Sequence, residues 1–145
     1  MDRDEAVRRL TEAKVGSIAT VRPNGSPHVA PFVFAVLDAD DALRIYWCVD
    51  DKPKRTRELQ RLVNIRAHPA VEFEVNRYDD DWTKLWWVRA SGLAIEVTAV
   101  HERERALAAL AAKYAPYAER LPSGPVIAIQ VDRVTGWAAS GDGLS

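Results

Sequence analysis

Between Ser17 and Val49 the chain passes through three short apolar, β-branched segments separated by turn signals too short to hold a helix. The segments are Ser17–Val21, His28–Leu37 and Leu43–Val49. Arg22-Pro23-Asn24-Gly25-Ser26-Pro27 divides the first two, and its Asn-Gly pair supplies the positive φ of a tight hairpin. Asp38-Ala39-Asp40-Asp41 divides the last two. Parallel neighbours need a crossover of about a dozen residues or more, so strands joined this closely pair antiparallel. A doubly wound parallel sheet, with a helix between successive strands, is thereby disfavoured. Pro31 falls inside the second segment. Proline gives no N–H to a ladder, so this point is expected at an edge or a bulge.

Residues 2–14 predict a helix. Ala6, Val7, Leu10 and Ala13 recur at helical spacing, and Asp2, Asp4 and Glu5 stand where the helix dipole favours negative charge. A second helix begins shortly after Pro53 and ends near Ala67, ahead of Pro69. Ala70 to Asn76 alternates Val71, Phe73 and Val75 with Glu72, Glu74 and Asn76, which predicts a half-buried strand. Tyr78 to Trp82 reads as a loop. Lys84 to Thr98 reads as a strand pair, or one bent strand with a bulge at Gly92. His101 to Tyr114 predicts a third helix, stopped near Pro116. Pro122–Pro125 is a linker, Val126–Val131 a final strand, and Asp132–Ala139 follows it. The expected fold is mainly β with flanking helices (α+β): six or seven antiparallel strands in a closed or nearly closed barrel. At 145 residues this is one domain, 1–145.

Twenty Lys and Arg against 21 Asp and Glu give a net charge of -1, which argues against a nucleic-acid partner. The single cysteine, Cys48, rules out an internal disulfide and a Cys-rich zinc site, and suits a reducing cytoplasm. The charged Met1–Glu5 segment shows no secretory signal. No run approaches the roughly 20 apolar residues of a membrane span, so no membrane association is expected.

No nucleophile triad, zinc-protease motif or glycine-rich phosphate loop is present. His28, His68 and His101 read as surface or capping residues, and no metal site is expected. Asp79-Asp80-Asp81 reads as a solvated loop, and Cys48 as a small buried hydrophobe. Between Lys52 and Arg66 there are six cations against one anion. Lys52, Lys54 and Arg55 fall where a strand passes into a helix. Backbone N–H groups there, with adjacent cations, suit a phosphate; the alternative is a solvated helix face. Five tryptophans form the second signal. On a strand, Trp86 and Trp87 must face opposite sides, leaving one to be covered by a helix, a ligand or a second subunit.

Gly16-Ser17-Ile18-Ala19-Thr20-Val21, followed by Asn24-Gly25-Ser26-Pro27-His28-Val29-Ala30-Pro31-Phe32-Val33-Phe34, resembles the opening of the pyridoxamine 5'-phosphate oxidase-like split β-barrel family. Lys52-Pro53-Lys54-Arg55 and Leu62 to Pro69 look like that family's phosphate-binding region. Tyr78 to Trp82 and Leu85-Trp86-Trp87-Val88-Arg89 look like a subgroup assigned to the deazaflavin coenzyme F420. The resemblance implies an FMN-binding-protein-like barrel and a homodimer with cofactors at its interface. It implies that Lys52, Lys54 and Arg55, assisted by Arg61, hold the cofactor phosphate. It sets the tricyclic ring near Pro31, Phe32 and Val33 and near Trp47, Cys48 and Val49. The Arg-x-His pattern of true pyridoxamine phosphate oxidases is not evident in Val134–Ala139.

The expected function is therefore an F420-dependent oxidoreductase, passing a hydride between reduced deazaflavin and an unsaturated small-molecule substrate. Trp87 or Trp137 would line the substrate side of the ring, with dimer packing as the alternative. Tyr46, Tyr78 or a water could protonate the product; no catalytic residue is singled out. The competing readings are an FMN-dependent oxidase or reductase, a non-catalytic flavin- or haem-binding protein, and a nucleic-acid-binding barrel.

Overall fold

The structure, a computed structural model, describes residues 1–39, 42–49 and 55–139, and of residues 55–59 the backbone alone. Seven strands are present: β1 (Gly16–Val21), β2 (Pro27–Phe32), β3 (Ala35–Ala39), β4 (Ala42–Cys48), β5 (Ala70–Arg77), β6 (Trp86–Glu96) and β7 (Val126–Ala138). They make one antiparallel sheet in the order β2-β1-β5-β6-β7-β4-β3. Its two outermost strands, β2 and β3, are consecutive in the chain and joined through Val33 and Phe34 alone. Laid flat, strands about 4.8 Å apart would separate these edges by about 29 Å. Three Cα–Cα steps reach about 11 Å at most. The sheet must therefore roll into a barrel, split along the seam between β2 and β3. Pro31 lies on edge strand β2, where its missing N–H costs no ladder bond.

Among the described residues four α-helices flank the barrel: α1 (Arg3–Glu12), α2 (Arg55–Ala67), α3 (Val100–Lys113) and α4 (Ala115–Glu119). Asp2 caps α1 by accepting from the Glu5 N–H at 2.8 Å, and Ala6, Val7 and Leu10 turn inward. The β1–β2 hairpin closes through Gly25 at φ 90, with Asn24 Oδ1 accepting from the Ser26 N–H at 3.0 Å. The barrel interior holds an aromatic group: Phe32 stacks on Phe34 at 4.9 Å and meets Phe73 and Trp47 edge-on at 5.5 and 5.9 Å. A second cluster lies under α3, where Ala106 and Leu110 cover Tyr46, Cys48, Val126 and Ala128.

The structure refines the expected elements in four places. His28–Leu37 is two strands, broken at Val33 and Phe34 rather than at Pro31. Residues 86–96 are one strand, not a pair; the bulge is there, but its extra residue, Asp132, belongs to β7, between the pairs Ser91–Arg133 and Gly92–Val131. That same β7 runs unbroken to Ala138. Past Tyr114 the chain forms a further helix, α4, because Pro116 starts it instead of ending α3. Among the described residues no helix is long and apolar enough to cross a membrane.

Candidate functional site

The seam leaves a cleft of about 270 Å³ at one end of the barrel. Pro31, Phe32 and Val33 line it from the broken strand, Trp47 and Cys48 from the end of β4, and Arg61 from α2. Val15 and Tyr117 complete the wall. The volume falls just below the roughly 300–1,000 Å³ of a typical ligand pocket. It suits a fused-ring system, with the rest of a nucleotide-sized molecule outside.

Local forces set each wall. Phe34, between two edge strands, has lost its ladder partners and finds replacements on α3. The Tyr114 hydroxyl accepts from the Phe34 N–H at 3.1 Å and shares its proton between the carbonyls of Lys14 at 2.8 Å and Phe34 at 3.0 Å. Lys113 Nζ donates to the same Phe34 carbonyl at 2.9 Å. These bonds hold the seam at one width. Opposite, α2 is pinned to β1 by fully buried Asn64, whose Nδ2 donates to Thr20 Oγ1 at 2.9 Å while its Oδ1 accepts from Gln60 Nε2 at 2.8 Å. That contact fixes Arg61, only 9% exposed, whose guanidinium reaches the Pro31 carbonyl at 3.4 Å. Burying a guanidinium is costly without acceptors, so the arginine is built into the wall.

Beside it on β2, the His28 Nδ1 is buried with no hydrogen-bond partner. Burial first, then the Arg22 and Arg61 charges, push the His28 pKa below its usual 6.5. His28 is not part of the cleft lining; there, the Arg61 cation beside apolar and aromatic walls fits a group that is planar at one end and anionic at the other.

The cleft thus gathers Pro31, Phe32, Val33, Trp47, Cys48 and Arg61 from the residues named for the cofactor. Val49 follows Cys48, is buried, and donates its N–H to the Pro125 carbonyl at 2.8 Å. Lys52 and Lys54 lie outside the described residues, as does the side chain of Arg55. Trp87 and Trp137 stand opposite each other on the outer face of β6 and β7, away from the cleft lining, with the Arg89 guanidinium 4.2 Å over the Trp87 ring. Trp86 turns the other way, onto the core.

Neither tyrosine named as a proton donor meets the cleft. Tyr46 faces α3 and donates to Glu102 Oε2 at 2.8 Å; burial, then that carboxylate, raise its pKa. Tyr78 is exposed on the β5–β6 connection, accepting from Trp82 Nε1 at 3.4 Å. Tyr117 is the tyrosine on the wall; it lies on α4 and meets the ring of Tyr114, the extended residue that joins α3 to α4, edge-on. Among the described residues no three His, Cys, Asp or Glu gather as a metal site.

The sequence profile described as pyridoxamine 5'-phosphate oxidase matches residues 3–138. No curated protein matches the chain. Among solved structures, a conserved hypothetical protein of Mycobacterium tuberculosis is similar, with a TM-score of 0.76 at 21% identity over 100% of this chain and 89% of that one. A FAD-binding protein of Mesorhizobium loti gives 0.68 at 20% identity, over 94% and 92%. A haem storage protein of Vibrio cholerae gives 0.64 at 13% identity, over 93% and 90%. At these identities the likeness is one of fold, the split barrel.

Proposed function

The chain belongs to the pyridoxamine 5'-phosphate oxidase family, and we propose that its cleft seats the ring of a flavin-type cofactor, F420 in preference to FMN, in an oxidoreductase. The observation that carries this is the convergence of Pro31, Phe32, Val33, Trp47, Cys48 and Arg61, from three separate parts of the chain, on one apolar cleft with a cation in its wall. Bound there in reduced form, F420 would supply the hydride chemistry that reduces an electron-poor double bond of a small-molecule substrate. The chain's own groups bind and orient. Phe32 and Trp47 present apolar faces that exclude water. Arg61, with Lys52, Lys54 and Arg55, holds the phosphate through charge-assisted contacts. Tyr117, the tyrosine on the cleft wall, takes the proton-donor position.

The preference for F420 rests on Tyr78–Trp82 and Leu85–Arg89, which look like the deazaflavin subgroup, and on cations along α2 sufficient for an acidic tail. A flavin such as FMN is the second reading, favoured by the FAD-binding relative. The partner we infer is a second copy of the chain. Trp87, Trp137 (40% exposed), Leu93 and Ile95 (each 47%) share the outer face of β6 and β7, which suits a homodimer.

Equilibrium titration with F420 and FMN side by side tests the cofactor. At low salt F420 binds more tightly, and Lys54→Ala or Arg55→Ala weakens it by roughly tenfold or more, since such contacts carry about 1.5–3 kcal/mol each. Equal or tighter binding of FMN sinks the deazaflavin reading and leaves the flavin one. Unchanged affinity in both variants moves the phosphate elsewhere.

A further inference from the structure

We propose that Lys14 and Lys113 form a carboxylate-binding site at the rim of the cleft. The site presupposes that the cleft is where ligand binds, and adds a chemical class: a small unsaturated acid as substrate, or the acidic tail of the cofactor.

Both lysines border lining residues. Lys14 immediately precedes Val15. Lys113 Nζ donates to the carbonyl of Phe34, the residue after Val33, and sits 4.2 Å over the Phe34 ring. Tyr114, next in the chain, meets Tyr117 edge-on at 6.0 Å. Lys14 Nζ in turn donates to the Lys113 carbonyl at 3.1 Å, capping the C-terminus of α3 and bringing the two side chains to one place. Each ammonium has three N–H donors, and the contacts named use one apiece. Among the described residues neither lysine has a carboxylate within 4.0 Å.

Two like charges, Lys14 exposed and Lys113 half-buried, share the rim with donors to spare and no acid to offset them. The strain is visible in Lys113, whose pKa is pulled down to about 8 by burial first and by Lys14 second. The other groups facing it bring no compensating charge. The β2–β3 join offers the Phe34 carbonyl and ring, α4 offers Tyr117, and the Tyr114 hydroxyl has its pKa raised by burial and stays neutral. An arriving carboxylate relieves the repulsion and takes the spare donors. The phosphate already has cations in the Lys52–Arg55 segment, so a carboxylate is the anion left for this rim.

Two probes differing only in charge test it: trans-cinnamate and cinnamamide, titrated at pH 7 and pH 9, with F420 and FMN titrated in parallel. Where the substrate is the source, cinnamate binds about tenfold more tightly than cinnamamide at pH 7. That preference shrinks at pH 9, as Lys113 loses its proton near pH 8, and it disappears in Lys14→Ala/Lys113→Met. Where the cofactor tail is the source, cinnamate shows no preference and the double variant loses affinity for F420 but not for FMN. Lys14→Ala alone, which removes an exposed side chain, shows the same effect in part if the double variant folds poorly. Equal binding of the two probes, together with an unchanged F420-to-FMN ratio in the variants, overturns the site. So does a cinnamate preference that survives the double variant. Tighter binding of FMN with the cinnamate preference intact overturns the deazaflavin reading and leaves the lysine site standing.

Discussion

A single imidazole carries a pH dependence that can be signed in advance. The His28 pKa lies below 6.5 in the folded chain, because burial and the Arg22 and Arg61 charges disfavour its cation. The unfolded chain then binds more protons than the folded one just under pH 6.5, so stability is full above that pH and is lost as pH falls. We expect the denaturant midpoint to drop between pH 7.5 and pH 5, and His28→Gln to lessen that drop. The same drop in both proteins would assign it to other groups. The histidine's importance was not legible in its neighbourhood. It reads as an ordinary surface residue of a strand until α2, more than thirty positions away, brings Arg61 against it.

At the level of strands and turns, two glycines differ in what they require. Gly25 adopts φ 90 with nothing within 4 Å of where a Cβ would point, so Gly25→Ala meets only backbone strain, about 1 kcal/mol. Gly92 faces the Gln130 carbonyl across the bulge, where a Cβ would collide with backbone. Gly92→Ala should therefore cost more, about 1–3 kcal/mol or above, and lower the denaturant midpoint further than Gly25→Ala. The reverse order would show that the bulge can shift. Elements whose burial follows a simple period were readable: β5 buries Val71, Phe73 and Val75 as its alternation indicates. The full length of β7 was not. Its first four residues are all buried between barrel and α3, and the pattern then loosens where that cover ends, so no single period spans it. Tyr117 is not legible in the sequence because Pro116 reads as the end of a helix, whereas it starts α4. For the cleft, Pro31–Val33 and Trp47–Val49 came from family resemblance. The basic segment is the part whose expected chemistry rests on composition, and Lys52 and Lys54 lie outside the described residues.

For the molecule as a whole, the outer face of β6 and β7 sets the expected assembly. Light scattering at micromolar concentration should give about twice the 16.2 kDa chain mass, and Trp137→Asp should shift it toward one chain while the barrel's circular dichroism persists. A single-chain mass for the unaltered protein would exclude the pairing. The architecture was readable at this scale because short turns force antiparallel neighbours. What the turns do not encode is which strand lies at the centre. That place belongs to β6, paired with β5 on one side and β7 on the other.

β7, which joins β6 to β4, is the last of the seven described strands to be synthesised. Until it leaves the ribosome, the emerged chain has a four-stranded sheet, β2-β1-β5-β6, and a β3–β4 hairpin, tied at Val33 and Phe34 but with nothing between them. The 11-residue edge of β6 and the seven-residue edge of β4 are then open to any other strand in reach. Barrel closure thus waits on β7, and the chain is most exposed to mispairing before that strand has joined its two neighbours. A stop codon ahead of Val126 would leave two unclosed sheets rather than a smaller barrel.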